Sequence, residues 1–128
     1  MTDADRRLPP SPYAFVAGAD VPLQRITRIE GAEEAGELWV KPLIAGREML
    51  VLEVHRKKGL KDPRHAHPDH ESICYLVSGR MRVIIGDDEF IAEPGATWVH
   101  PAGVPHCHET LEDSVQLEVK SPPRKTWG

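Results

Sequence analysis

Short apolar runs broken by turn-forming residues are the feature that most restricts the folds open to this chain. Residues 23–29, 37–44 and 48–55 have the length and side chains of strands, and Ala45 with Gly46 separates two of them as a hairpin turn would. Ser78 and Gly79 punctuate 73–77 and 81–85 in the same way, and Asp87 with Asp88 turns the chain toward 89–92. Residues 114–120 alternate, with Val115, Leu117 and Val119 on one face and Gln116 and Glu118 on the other, before Pro122 and Pro123 stop the run. No stretch keeps a capped 3.6-residue period over three turns, so any helix should be short. The pattern predicts an all-β sandwich or barrel.

A chain of 128 residues supports one domain, burying about two-thirds of its unfolded surface. Residues 1–20, with Pro9, Pro10 and Pro12 and few apolar side chains, read as an irregular arm that Tyr13 and Phe15 would dock, leaving 21–128 as the domain. The formal net charge of −4 lacks the basic footprint of a nucleic-acid binder. There is no apolar run of membrane-spanning length, and the first residues are polar and then proline-rich, which predicts a cytoplasmic protein without membrane contact. Cys74 and Cys107 are too few for a disulfide scaffold and read as reduced thiols.

Chemistry concentrates between Gly59 and His106. His65 and His67 form a His-x-His pair; on an extended segment both imidazoles share one face, about 6.6 Å apart, close enough to share one ion. Neutral imidazole is the commonest metal ligand. A solitary His-x-His in a polar loop is more often surface decoration, so the pair gains weight only from its setting.

That setting resembles the cupin superfamily, whose two motifs read G-x5-H-x-H-x3-4-E-x6-G and G-x5-P-x-G-x2-H-x3-N. Gly59, His65, His67 and Gly79 match the first in its longer-spacer form, and Gly95, Pro101, Gly103 and His106 match the second. Ser72 stands where the family has a ligand glutamate, Thr110 where it has asparagine, and Glu71 lies one residue early. The resemblance implies a double-stranded β-helix of the jelly-roll kind, with His65, His67 and His106 binding a divalent transition metal (Fe, Mn, Ni, Cu or Zn) and Ser72 at the fourth ligand position. Glu71 is the alternative there, and a site that has lost its metal is a further reading.

Two functional classes follow from it. One is a metal-dependent enzyme acting on a small oxygen-rich or enolisable compound, as a dioxygenase or as a lyase, isomerase or cyclase, with His108 or Glu71 moving protons. The other is a non-catalytic cupin that binds or senses a sugar or a small organic acid. His108 shares strand parity with His106 and equally suits a hydrogen-bonded core; Cys74 reads as a small hydrophobe, Tyr75 and Trp98 as core fillers, and His55 and His100 as structural. Arg56, Lys57, Lys58, Lys61 and Arg64 precede the ligand loop, a solvated run that would also attract an acidic substrate. Small cupins commonly pair through outer strands, which implies a homodimer with the arm and Trp39 in the contact.

Overall fold

The structure, a computed structural model, describes residues 6–127. Seven strands make up almost all of the ordered secondary structure: β1 (Gln24–Ile29), β2 (Ala32–Ala45), β3 (Leu50–Arg56), β4 (Glu71–Ile85), β5 (Asp88–Ala92), β6 (Thr97–His100) and β7 (His106–Ser121). One 3-10 turn, Gly18–Asp20, precedes them. All pairings are antiparallel in the order β1-β2-β3-β7-β4-β5, with β6 also on β4. The result is a jelly-roll β-barrel. No helix among the described residues is long and apolar enough to cross a membrane.

The two longest strands make the closure possible. The first half of β4 pairs with β6 and the end of β7, and its second half pairs with β5 and the start of β7. Between the halves the register slips three times, at Leu76/Ser78, Ser78/Arg80 and Arg80/Met81. Ser78 and Gly79 therefore form a bulge inside one bent strand, where the sequence suggests a hairpin turn between two. Gly79 has φ +94°, and a Cβ there would collide with Ser114 and the Asp113 carbonyl, so only glycine permits this close approach. The turn expected at Ala45 and Gly46 does join β2 to β3, closed by Gly46 N–H donating to Met49 O at 2.8 Å.

Two apolar clusters flank the interior. Ile26, Leu38, Val40, Leu50, Leu52, Val54, Leu60 and Trp127 fill one end, and Cys74, Leu76, Met81, Val83, Ala92 and Trp98 the other. Between them β7 turns inward its polar face: His106, His108, Thr110, Ser114, Gln116, Glu118 and Lys120 are all buried. The alternation read in 114–120 is real, but Val115, Leu117 and Val119 lie on the outer side. Ile73, Tyr75, Val77 and Val99 likewise face outward, between 43 and 56 % exposed, as an apolar patch on adjacent β4 and β6. Of the arm, residues 1–5 lie outside the described residues. The rest runs along the barrel, with Leu8 N–H on Pro123 O and Ser11 N–H on Ala45 O, while Tyr13 and Phe15, expected to dock it, are exposed.

Candidate metal centre

His65 and His67 sit in the connection between β3 and β4 rather than inside a strand, and His106 opens β7. A reciprocal backbone pair brings the distant motifs together: His65 N–H donates to His106 O at 3.0 Å and His106 N–H to His65 O at 2.8 Å. Gly103 N–H donates to His67 O at 2.8 Å, so the second motif also holds the other histidine's backbone. The three rings form a triangle with centroid separations of 4.9, 4.4 and 4.9 Å. Their potential ligand atoms lie within 4.8 Å of one another.

The hydrogen bonds behind these rings fix their tautomers. His65 Nδ1 meets Pro63 O at 2.6 Å and His106 Nδ1 meets Val104 O at 3.2 Å. A carbonyl only accepts, so each ring carries its proton on Nδ1 and keeps the Nε2 lone pair. His67 Nδ1 faces Glu30 Oε1 at 3.2 Å, the carboxylate–histidine arrangement that orients metal ligands. Glu30 is itself gripped by Arg6, at 2.9 and 2.7 Å, and Arg6 also reaches Asp69. One arm residue thus braces the outer shell of the centre.

Burial holds all three imidazoles in the neutral, ligating form. It lowers His65, the Pro63 carbonyl only partly opposing it. Burial and then Lys120 push His67 far below the ordinary value for histidine. Burial and then His100 bring His106 down to about 2. Three neutral donors at this spacing fit a divalent first-row metal, with positions left for water or ligand.

The fourth position differs from the family pattern. Ser72 is fully buried and aligned opposite Lys120 across β4 and β7, and its hydroxyl accepts from Lys120 Nζ at 3.3 Å. The same ammonium contacts His70 Nε2 at 3.3 Å and Glu118 Oε1 at 3.4 Å. A cation therefore stands beside the position at which the sequence places a ligand. Glu71 points to solvent from the outer face of β4, because it has the opposite strand parity to Ser72, so it is not a group of this cavity. His108 does line the cavity, its Nδ1 on Asp62 Oδ2 at 2.8 Å and its Nε2 3.1 Å from His100 Nε2. Asp62 also binds Arg56 at 2.9 Å; although burial raises it, His108 and Arg56 hold it well below the usual carboxylate range.

Cys74, His100 and Glu118 form a second buried trio with ligand-like spacing. Its hydrogen bonds argue against a metal. Trp98 Nε1–H donates to His100 Nε2 at 3.1 Å, His108 Nε2 approaches the same nitrogen at 3.1 Å, and His100 Nδ1 faces Glu118 Oε1 at 3.5 Å, so neither ring nitrogen is left over for an ion. Burial and Glu118 also raise the Cys74 thiol well above its ordinary value. His100, read from sequence as merely structural, nevertheless belongs to the site wall, its ring stacked on His106 at 3.9 Å.

Sequence reasoning missed His70, His100, Glu30, Glu118 and Lys120. Only the last two carried a signal, as the polar face of an alternating strand. The basic run before the ligand loop is largely spent locally: Arg56 is buried on Gln116 and Asp62, Lys57 pairs with Asp113 at 3.5 Å, Lys61 with Glu109 at 3.2 Å, and Arg64 binds Gly86 O. Together the histidines and the apolar strands β1, β2 and β3 line a cavity of about 40 Å³, enough for an ion with water or the head of a small ligand.

A jelly-roll barrel with a three-imidazole centre inside it defines the class. The family model of the cupin domain matches residues 52–119, more than half of the chain, and this protein belongs to that family. No curated protein matches the sequence. Among solved structures, KdgF from a Halomonas species is similar over 88 % of this chain and 96 % of its own, with 24 % identity and a TM-score of 0.77. A predicted oxalate decarboxylase from Thermotoga maritima is similar over 84 % and 98 %, with 18 % identity and a TM-score of 0.72. The polyketide cyclase RemF from Streptomyces resistomycificus is similar over 88 % and 81 %, with 20 % identity and a TM-score of 0.67. At these identities the likeness speaks for the fold.

Proposed function

We propose that this cupin is a metal-dependent enzyme acting on a small oxygen-rich or enolisable compound, with His65, His67 and His106 as the metal ligands. The observation that carries the reading is the set of Nδ1 hydrogen bonds to Pro63, Glu30 and Val104, which leaves three neutral Nε2 donors around one space. A bound divalent ion would supply Lewis acidity to a ligand oxygen or, if iron, a place for dioxygen. Around it, the chain orients the donors, Asp62 holds His108 as the proton carrier at the cavity wall, and the apolar strands limit water. Ring-opening oxygenation and lyase, isomerase or cyclase chemistry all suit such a site. Among the similar structures, one is described as a predicted oxalate decarboxylase and another as a polyketide cyclase.

The test is metal analysis of untagged protein, followed by oxygen uptake and a substrate panel, on wild type and His106→Ala. Metal near one equivalent and turnover lost with His106 support the reading; turnover surviving at full rate overturns it. A second reading, a binding or sensing cupin without turnover, draws on Lys120 and Ser72 standing where the family has a carboxylate ligand. It predicts tight ligand binding with no product.

We also assign a homodimer in the cytoplasm. The outward patch of Ile73, Tyr75, Val77 and Val99, together with the exposed Tyr13 and Phe15, supports a second copy as the occupant. Tyr75→Glu should then move the mass measured by light scattering at micromolar concentration from dimer to monomer; a monomeric wild type would count against the assignment.

A further inference from the structure

The interior of β7 holds a charged pair that stability does not explain. Lys120 is 1 % exposed and Glu118 8 %. Replacing such a buried pair by apolar side chains of similar volume is often neutral or stabilising, so its presence calls for a role in the cavity it lines. The ammonium is also loosely held. Its contacts to the Ser72 hydroxyl and the Glu118 carboxylate measure 3.3 and 3.4 Å, beyond the usual range for a nitrogen–oxygen hydrogen bond, and its third, to the His70 ring nitrogen, is 3.3 Å. None of its donors is committed to a short contact, and the residue lines the cavity. His70, which receives one of them, stacks on His67 at 4.5 Å, so the ammonium lies one imidazole layer from the trio.

Charge arithmetic gives the sign of the partner. Glu118 and Lys120 cancel, and the three ligand imidazoles are neutral, so a divalent ion would leave about two uncompensated positive charges in a buried space. Without Lys120, an incoming anion would meet the Glu118 carboxylate instead. We propose that Lys120 is the specificity-determining anchor of the cavity, taking a carboxylate of a small organic acid whose other oxygen-bearing group reaches the three histidines. This rests on the metal reading for the second contact but not for the first. It selects an acid over a neutral sugar and gives Ser72 a purpose: its short hydroxyl supports the ammonium without opposing the substrate's charge.

The experiment is calorimetric titration of the zinc-loaded protein with malonate, using glycerol as a neutral control, on wild type, Lys120→Met and Lys120→Met/Glu118→Gln. The double variant guards against a folding defect from an orphaned Glu118. Metal content and thermal midpoint are measured in parallel. The expected result is malonate affinity reduced about 10–100-fold in both variants, as for loss of a charge-assisted hydrogen bond, with metal content unchanged in the double variant. Wild-type affinity in the double variant, loss of its metal, or failure of the wild type to bind malonate would overturn the anchor. If none of the proteins holds zinc yet malonate binding still depends on Lys120, the metal reading falls and the anchor stands.

Discussion

Two trios of ligand-type side chains share this barrel, one with a ring nitrogen left over on each member, as an ion would need, and the other with its donors already engaged. In His65, His67 and His106, every Nδ1 is committed to an outside oxygen and every Nε2 is left over. In Cys74, His100 and Glu118, the Nε2 of His100 is taken by Trp98 and its Nδ1 faces Glu118, which is itself engaged by Lys120. Spacing and burial are alike in both. What separates them is whether a ring nitrogen is left over: neighbours behind the rings engage only Nδ1 in the first trio, but both nitrogens of His100 in the second. Proximity of donors is therefore a poor criterion for a metal site until each donor's remaining hydrogen bonds have been counted.

The contrast can be broken most forcefully at the first trio. His106→Ala should abolish metal binding, measured as metal per chain after dialysis, because two imidazoles cannot hold a divalent ion as three do. Asp62→Asn tests whether the wall of the second trio is structural. It leaves the buried Arg56 without its counter-charge and gives His108 a neutral amide in place of a carboxylate, and should cost roughly 3–5 kcal/mol in denaturant unfolding. A loss of metal larger than the loss of stability accounts for would mean that the two trios are coupled through His100 and its stack on His106.

Acid separates the trios more gently. His100, held at about 4 chiefly by burial against the partial support of Glu118, and His106, at about 2, both lie below the ordinary histidine value of 6.5. The unfolded chain takes up these protons first, so the stability from neutral rings is fully present above about pH 6.5. It falls as the pH drops through 6.5 toward those values. Metal-free protein should thus show a urea midpoint that is level from pH 7.5 to about 6.5 and declines from there to pH 4.5; a flat profile throughout would contradict neutral, buried imidazoles. The smallest effect is expected for Cys74→Ala, at about 1 kcal/mol of stability with metal per chain unchanged. A drop in metal content there would restore the second trio as a metal site.

How much of this was legible beforehand differs by residue. His65, His67 and His106 could be proposed as ligands because their two motifs are local patterns with glycine and proline at fixed offsets. Glu71 looked eligible for the same reason, and strand parity removed it: one position decides whether a side chain faces the cavity or the solvent. Ser78 and Gly79 looked like a hairpin turn because the same residues serve turns and bulges, and only the partner strand tells which. Glu30 and Asp62 gave no sign of their roles, since each acts on a histidine 37 or 46 residues away.

From the sequence alone came the all-β class, because turn chemistry and strand periodicity act over a few residues, and the two family motifs that single out His65, His67 and His106 as candidates. Which face of β7 is inside was decided by the closed barrel. There Gln116, Glu118 and Lys120 find partners on other strands and can be buried, while Val115, Leu117 and Val119 are left on the outer side. A polar side chain is tolerated inside only when its hydrogen bonds are met. Those partners come from far along the chain, so they exist as neighbours only once the fold has formed.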